Sequence, residues 1–409
     1  MRAGKFLAVV VLSVFFVVSC KQDPILYIIA TETAPVKPLI EGAPTNMVVF
    51  KRNGTPVMYA ASGRLHWYAK SSDGITRWNS DEYAIPQPGG KIISLAATDD
   101  CLYVLSLDGH GVKATLRYIE SNGNEWKTVS SEADGYPLIQ AIYADYDFTS
   151  SQTTRLFAGA GKNDRSQASY AILYLDNAAK TLKMLKSDTS IFSGVVYQGD
   201  TYYLCTQGDG IYSVSETALA NNAPSVSKLS VTGDASVFIG MIKLKDNTVI
   251  AVARNGGGLF REQSGSFVRM TNSSGNNIST GKYATGALAL WEHYEDPTNK
   301  LLIAGIQGGL YSTSISSYTH GYVEFILNPF DGSLNIEESR RDPGKLKSVN
   351  NQDRYMASLG KHPINHLFQA PRDIDPNMTF FASTQTEGLW SYRDRSNNGG
   401  WQWNAEPKK

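Results

Sequence analysis

The 409-residue sequence predicts an all-β fold, a seven-bladed β-propeller built from four-stranded antiparallel blades. One strand–turn–strand unit recurs seven times at a spacing of about 50 residues, which is typical of propeller blades. The 36 Gly and 22 Tyr residues suit strands and tight turns better than helices. Helical patterns are short, because Thr217–Asn221 and Tyr355–Leu359 could each form only a single turn.

Residues 1–19 are predicted to be a signal peptide. Arg2 and Lys5 give a positive start, and an apolar run from Phe6 to Val18 follows. This run is shorter than the roughly 20 residues that a membrane-spanning helix needs, but it fits the hydrophobic part of a secretion signal.

The signal ends in Val17-Val18-Ser19-Cys20, which resembles the lipobox of bacterial lipoproteins. The resemblance implies cleavage before Cys20 and acylation of Cys20, so that the lipid bilayer would be a partner of the mature protein. Lys21 follows the cysteine. In lipoproteins of this kind, that residue implies location at the outer membrane, facing either the periplasm or the cell surface. The alternative is an ordinary signal peptide that ends near a cysteine.

Residues 20–44 are predicted to form a tether, because Pro24, Pro35, Pro38 and Pro44 favour extended chain. The exception is Ile25–Ala30, which is strand-like. The propeller is predicted at residues 45–406. Its ring would be closed either by Gly400–Asn404 alone or by Ile25–Ala30 pairing at the seam.

Each repeat contains an apolar strand, a polar or glycine turn, and a second strand. The repeats are Val57–Tyr68, Leu102–Tyr118, Leu156–Leu175, Thr201–Ser213, Val249–Arg261, Leu301–Ser312 and Met378–Ser391. Another strand and a polar hairpin precede each one, at Met47–Lys51, Ile92–Ala97, Leu138–Ala144, Val195–Tyr197, Phe238–Leu244, Ala287–Trp291 and Ile364–Gln369. Fourth strands are predicted at Gly74–Asn79, Asn124–Val129, Ser266–Met270 and Gly400–Asn404. The wide spacing between Gly309 and Gly388 predicts an insertion at residues 331–361.

Composition excludes several functional classes. The 38 Lys and Arg residues balance 38 Asp and Glu residues, so bulk charge does not favour nucleic acid as a partner. Three cysteines are too few for a disulfide framework or a four-cysteine zinc site. We expect Cys101 and Cys205 to be free, buried thiols, because they lie in blades that are not neighbours.

Ser71–Trp78 (SSDGITRW) resembles the Asp-box of sialidase-like propellers. In that family the box is a structural turn at the rim, and the resemblance implies the same role here. The arginine motif of sialidases, Phe/Tyr-Arg-Ile-Pro, is absent. We therefore do not expect sialidase activity.

No catalytic residue, metal site or cofactor is predicted. His362 and His366 are four apart in a strand-like segment, about 13 Å from each other, which is too far to share one zinc ion. Asp145, Asp147 and Asp296, and the pair Asp373 and Asp375, are expected to be turn residues, since none fits a calcium-loop spacing. Neither a phosphate-binding loop nor a Gly-x-Ser-x-Gly motif occurs.

The predicted binding face carries the turns between second and third strands together with the connections between blades. Its candidate residues are Lys162, Arg165, Asp209, Arg254, Gln307, Arg340, Arg341, Tyr355 and Glu387. The insertion at 331–361 rises from this face and could be either a recognition loop or a solvated one.

The chain resembles bacterial propeller lipoproteins in its lipobox and its repeats, and this resemblance implies a scaffolding role in the cell envelope. The sequence therefore predicts a lipid-anchored, non-enzymatic module that binds an envelope or host protein. The alternatives are a glycan hydrolase or lyase with a site at the propeller axis, and a surface adhesin. The sequence does not predict an oligomeric state.

Overall fold

Seven β-sheets follow one another along the described part of the computed structural model, each formed by a continuous stretch of chain. Sheet 1 contains β1 Met47–Arg52, β2 Thr55–Ser62, β3 Arg64–Lys70 and β4 Thr76–Trp78. Sheet 2 contains β5 Lys91–Ala97, β6 Cys101–Leu107, β7 Ala114–Glu120 and β8 Lys127–Thr128. Sheet 3 contains β9 Ser130–Ser131, β10 Leu138–Tyr143, β11 Phe157–Gly161, β12 Tyr170–Asp176 and β13 Thr181–Thr189.

The remaining four sheets repeat this plan. Sheet 4 contains β14 Phe192–Gln198, β15 Thr201–Thr206, β16 Gly210–Ser215 and β17 Ser227–Lys228. Sheet 5 contains β18 Ser230–Val231, β19 Phe238–Lys243, β20 Val249–Ala253, β21 Gly258–Gln263 and β22 Ser266–Arg269. Sheet 6 contains β23 Ala284–Glu292, β24 Lys300–Ile306, β25 Tyr322–Leu327 and β26 Leu334–Ile336. Sheet 7 contains β27 Ile364–Gln369, β28 Phe380–Thr384, β29 Gly388–Arg395 and β30 Gly400–Ala405. The predicted all-β class and four-stranded antiparallel sheets are thus confirmed.

The structure describes residues 40–406 except 41, 110, 112, 151–153, 163–168, 234, 255–256, 272–274, 276, 278–283, 293–299, 307–321, 328–333, 337–363, 385–387 and 396–399. Residues 40–406 belong to one compact unit. The predicted signal peptide, Cys20, Ile25–Ala30 and most of the 20–44 tether lie outside the described residues.

Helices are minor elements of the described chain. A 3₁₀ turn spans Asp81–Tyr83, and one short helix, α1, spans Glu216–Ala220, close to the single turn predicted at Thr217–Asn221. The Ser215 hydroxyl caps α1 by accepting a hydrogen bond from the Ala218 N–H at 3.1 Å. None of the described helices is long and apolar enough to cross a bilayer.

The core lies between neighbouring sheets. The second strands β11, β20 and β28 are buried at every residue, whereas the outermost strands β8 and β17 are fully exposed. Phe50 and Tyr59 of sheet 1, for example, share a buried cluster with Leu102 and Val104 of sheet 2. A strand that is apolar on both faces needs sheets on both sides, so we expect that one repeat alone would not be stable.

Sheets 3 and 5 each gain a fifth strand that the repeats did not predict. After the outer strand β8, the chain runs directly into β9, which pairs in parallel with β13 of the next sheet. After β17 it runs into β18, which pairs in parallel with β22. The chain thus links the outer edges of adjacent sheets before it returns to the inner first strand.

The prediction for sheet 6 was wrong at its third strand. The sequence placed that strand within Leu301–Ser312, but β24 pairs with Tyr322–Leu327. The segment YVEFIL is richer in aromatic and β-branched residues than the short Leu310-Tyr311 pair beside Gly308-Gly309, so it makes the better strand. The fourth strand, Leu334–Ile336, also occupies part of the predicted insertion 331–361. Of that insertion, residues 331–333 and 337–361 lie outside the described chain.

Sheet 7 packs against sheet 1 and so joins the two ends of the series. The Tyr68 hydroxyl donates a hydrogen bond to Asp375 Oδ2 at 2.9 Å, and Thr76 Oγ1 donates to the Ile374 carbonyl at 3.0 Å. The Phe381 ring packs edge-on against Tyr68 and Trp78, with centroid distances of 5.3 and 5.6 Å. Of the two predicted routes to closure, the strand at Gly400–Asn404 is present as β30 and belongs to sheet 7.

A β-bulge lies at or just before the beginning of each first strand. In sheets 2, 3, 4, 5 and 7 the residues at which the register shifts are Ile93, Gln140, Ser193, Ile239 and Asn365. In sheet 1, Thr45 N donates to the Ala61 carbonyl at 2.7 Å while Ala61 N donates to the Asn46 carbonyl at 3.1 Å, so two residues oppose one. In sheet 6 the register shifts between Ala284 and Leu288. Bulges redirect side chains, and here they do so at the same level in every sheet.

Candidate functional site

The first strands of all seven sheets, with the residues just before them, line one cavity of about 380 Å³, which we call the axial pocket. Asn46, Ser94, Gln140, Ser193, Gly240, Ala287 and Asn365 supply one lining residue from each sheet. The bulged residues Ile93, Gln140, Ser193, Ile239 and Asn365 are all part of this lining. The bulged residues of these five sheets are therefore part of the pocket wall.

Several polar side chains of the axial pocket bind the next sheet. The Asn46 side chain donates to the Leu95 carbonyl at 2.6 Å and accepts from Leu95 N at 2.9 Å. Ser193 Oγ donates to the Phe238 carbonyl at 2.8 Å, and Ser94 Oγ contacts the Ile142 carbonyl at 3.4 Å. These hydrogen bonds fix the positions of neighbouring first strands relative to each other.

Five residues line both the axial pocket and a second cavity: Ala144, Val195, Met241, Leu288 and His366. The second cavity has a volume of about 1010 Å³ and opens among the hairpins that join first and second strands. We call it the hairpin-face cavity. The shared residues form a mainly apolar boundary between a polar pocket and a charged one.

His366 has an unusual position at this boundary. Its ring makes a hydrogen bond to the Met47 main chain, whereas its Nε2 atom is buried with no hydrogen-bond partner among the described residues. Burial lowers the pKa of His366 to about 4. The imidazole is therefore a neutral hydrogen-bonding group at pH 7. Sequence reasoning considered this residue only as a metal ligand with His362, which lies outside the described chain.

Charged residues of the hairpin-face cavity are tied to structural partners. Lys243 Nζ lies 3.2 Å from Asp145 Oδ2 and donates to the Tyr197 carbonyl at 2.9 Å. Asp147 caps its own turn by accepting hydrogen bonds from the Thr149 N–H at 2.9 Å and its hydroxyl at 2.6 Å. The expected turn role of these aspartates is confirmed for Asp147, and the described residues contain no group of three His, Cys, Asp or Glu able to hold a metal ion.

Three of the predicted binding-face residues are described, and each follows the second strand of its sheet. Lys162 donates to Asp188 Oδ1 at 3.0 Å and lies over the Tyr136 ring at 5.1 Å, and the hydrogen bond to Asp188 raises the pKa of Lys162. The Asp209 carboxylate accepts a hydrogen bond from the Ser190 main chain, which fixes the turn against the preceding connection. Arg254 Nε is buried and has no hydrogen-bond partner among the described residues.

These three residues lie on sheets 3, 4 and 5, at the face where the axial pocket begins. None of them lines the axial pocket. Arg165, Gln307, Arg340, Arg341, Tyr355 and Glu387 lie outside the described residues, and their assignment to the binding face stays a prediction.

Two smaller expectations are confirmed. Cys101 and Cys205 are free and buried, and burial raises the pKa of Cys205 to about 12. In the segment that resembles an Asp-box, Asp73 Oδ1 accepts from Ile75 N at 3.0 Å, and Trp78 is buried against sheet 7. The box thus serves as a turn that supports the packing of sheet 1.

The sequence raised a site at the propeller axis only as an alternative and did not identify the residues of the axial pocket. Its bulged residues share no residue type, since Ile93, Gln140, Ser193 and Asn365 differ in size and polarity. A usable signal was their position, because each stands near the beginning of the first strand of its repeat. Aligning the repeats on the first strand, instead of on the glycine turn, would have brought these positions together.

The chain is similar in structure to β-propeller proteins. Virginiamycin B lyase from Staphylococcus aureus is 10% identical, with a TM-score of 0.50 over 87% of this chain and 97% of that chain. The GH74 enzyme of Niastella koreensis is 15% identical, with a TM-score of 0.51 over 91% of this chain and 55% of that chain. No known protein family and no curated protein matches the sequence. At these identities the likeness shows the β-propeller fold alone.

Proposed function

We propose that this chain is a seven-bladed β-propeller, anchored in the bacterial outer membrane through acylated Cys20, that acts as a non-enzymatic protein-binding or scaffolding module. Each of the seven sheets would be one blade. The observation that carries the proposal is the joining of sheet 7 to sheet 1, which gives a rigid support for the loops of one face. Rigid scaffolds that carry variable loops are common in binding proteins.

The binding face in this proposal is the one that carries Lys162, Asp209 and Arg254. The turns holding these residues are fixed by contacts to the adjoining chain, namely Lys162 to Asp188 and Asp209 to Ser190. Such a preorganised surface loses little conformational entropy when a partner binds. β26 ends and β27 begins on this same face, and residues 337–363 connect them in sequence.

The test is affinity capture with the anchored protein in bacterial membranes, with and without added host matrix proteins. In one variant, residues 337–361 are replaced by a short Gly/Ser linker, which leaves β26 and β27 intact. In the matched control, the same Gly/Ser linker replaces residues 293–299, which follow the end of β23 away from the binding face and lead to β24. We expect the first variant to lose the captured envelope or host protein and the control to keep it.

Equal capture by both variants would contradict the assignment of the binding face. The identity of the captured protein distinguishes two possible functions. A host matrix protein would indicate a surface adhesin, and an envelope protein would indicate a scaffold. Release of new reducing ends from an added glycan would instead indicate a hydrolase or lyase. That result would contradict the non-enzymatic proposal.

A further inference from the structure

The axial pocket contains many hydrogen-bonding groups but no formal charge. Its described lining includes hydroxyl and amide side chains from five sheets and no Asp, Glu, Lys or Arg. An ion in such a pocket would have no partner of opposite charge, and burying an unpaired charge is costly. The pocket therefore favours a neutral ligand.

Two amide side chains of the lining are available for a ligand. Gln140 and Asn365 are exposed to the pocket, and neither makes a side-chain hydrogen bond to a described residue. Each amide offers two N–H donors and a carbonyl acceptor. They stand on bulges of sheets 3 and 7, so the same backbone irregularity presents both of them.

An apolar surface borders the inner end of the pocket. Val195, Met241 and Leu288 lie in the boundary that the pocket shares with the hairpin-face cavity. The Nε2 atom of the neighbouring His366 is buried below this surface, out of reach of a ligand. A ligand that fits the pocket has both donors and acceptors on one part and C–H surface on another.

We propose that the axial pocket is a binding site for a neutral saccharide. Each sugar hydroxyl both donates and accepts, which matches the exposed amides of Gln140 and Asn365. The C–H face of a pyranose ring would pack on Val195, Met241 and Leu288. The pocket volume of about 380 Å³ is within the range of small-ligand sites.

This inference goes beyond the proposed protein-binding role and does not depend on it. The saccharide would bind at the axis, whereas the protein partner would bind the loops that include residues 337–361. The loop-replacement variant should therefore keep saccharide binding. The two proposals can therefore fail separately. Absent saccharide binding would contradict only the axial-site proposal, and unchanged protein capture by the loop-replacement variant would contradict only the binding-face proposal.

The test is saturation-transfer difference NMR with the intact mature protein and four neutral disaccharides: maltose, cellobiose, lactose and N,N′-diacetylchitobiose. Glucose 6-phosphate and glucosamine serve as charged comparisons. We expect at least one neutral disaccharide to bind and both charged sugars to bind at least about tenfold more weakly. Because one neutral hydrogen bond contributes modestly, Gln140→Leu and Asn365→Leu should each weaken binding by about three- to tenfold.

Two further variants complete the test. Ala141→Trp should fill the pocket and abolish binding, whereas Gln263→Leu changes an exposed glutamine on the outer hairpin of sheet 5 and should have no effect. Melting temperatures show whether each variant is folded. The proposal is overturned if no neutral disaccharide binds, if charged sugars bind equally well, or if folded Gln140→Leu, Asn365→Leu and Ala141→Trp all bind like the unaltered protein.

Discussion

The Tyr68 hydroxyl donates a hydrogen bond to the Asp375 carboxylate across the seam between the first and last sheets, with an O–O distance of 2.9 Å. The two residues are 307 positions apart in sequence, and Asp375 is only 2% exposed. Asp375 also accepts from the main-chain N–H groups of Asn377 at 3.0 Å and Thr379 at 3.3 Å. One carboxylate thus fixes a turn in sheet 7 and attaches that turn to sheet 1.

Tyr68→Phe should lower the free energy of unfolding by about 2 kcal/mol, because the variant removes a hydrogen bond to a buried charged group. Urea unfolding followed by tryptophan fluorescence measures this change. Tyr83→Phe is the control, since the Tyr83 hydroxyl donates to the Lys70 carbonyl at 3.1 Å in an exposed setting. The control should change stability by less than about 0.5 kcal/mol.

Arg155→Met should destabilise the protein by about 3 kcal/mol, because it leaves the mostly buried Glu216 carboxylate without its partner. Arg155 Nε and Nη2 bind both carboxylate oxygens of Glu216 at 2.6–2.9 Å, with side-chain exposures of 10% and 18%. This pair joins sheet 3 to α1 of sheet 4.

Lys127→Met is the matched control for that ion pair. Lys127 Nζ and Glu120 Oε1 lie 2.7 Å apart, but the two side chains are 54% and 49% exposed. The free energy of unfolding should therefore fall by less than about 1 kcal/mol. Equal destabilisation by the two variants would contradict the structural role of the Arg155–Glu216 pair.

Stability should fall as the pH decreases from 6.5 towards 4, and part of that fall should depend on His366. Burial lowers the pKa of His366 from 6.5 to about 4 in the folded protein. In this range the unfolded chain takes up a proton at His366 and the folded chain does not, so acid favours unfolding. His366→Gln should flatten the pH dependence of the unfolding free energy between pH 4 and 6.5. An unchanged slope would show that His366 is not buried as a neutral group.

Cys20→Ala should abolish acylation and release the protein from the membrane fraction, because the lipobox-like segment directs the lipid to this residue. Metabolic labelling with radioactive palmitate, followed by membrane fractionation, measures both effects. Cys101→Ala and Cys205→Ala serve as controls, since both thiols are buried in the fold. Continued labelling of Cys20→Ala would contradict the lipoprotein assignment.

Most of the fold follows from the sequence because the strand pattern is local. Ile364–Gln369 was predicted with the same bounds that β27 has, since its apolar residues stand between clear turn residues. Sheet 6 shows the limit of this reasoning, because Gly308-Gly309 imitates the turn of the other repeats while the partner of β24 lies further along the chain. Local pattern cannot rank two candidate strands that compete for the same edge.

The candidate site was harder to predict because it depends on long-range geometry. The bulges at Gln140 and Asn365 arise from two-against-one pairing with β11 and β28, which no residue type specifies. The unpartnered nitrogen of His366 likewise depends on burial by neighbouring sheets. The charged turn residues were easier to find, and Lys162, Asp209 and Arg254 do follow second strands as expected.

The central claim is that the first and last sheets are bonded into one closed structure. A double-mutant cycle with Tyr68→Phe, Asp375→Ala and the combined variant measures this bond most directly. The cycle subtracts the change in unfolding free energy that each substitution causes within its own sheet and leaves the interaction between the two residues. We predict a coupling free energy of about 1–3 kcal/mol between the two positions. A coupling indistinguishable from zero, with additive losses in the double variant, would contradict closure through Tyr68 and Asp375.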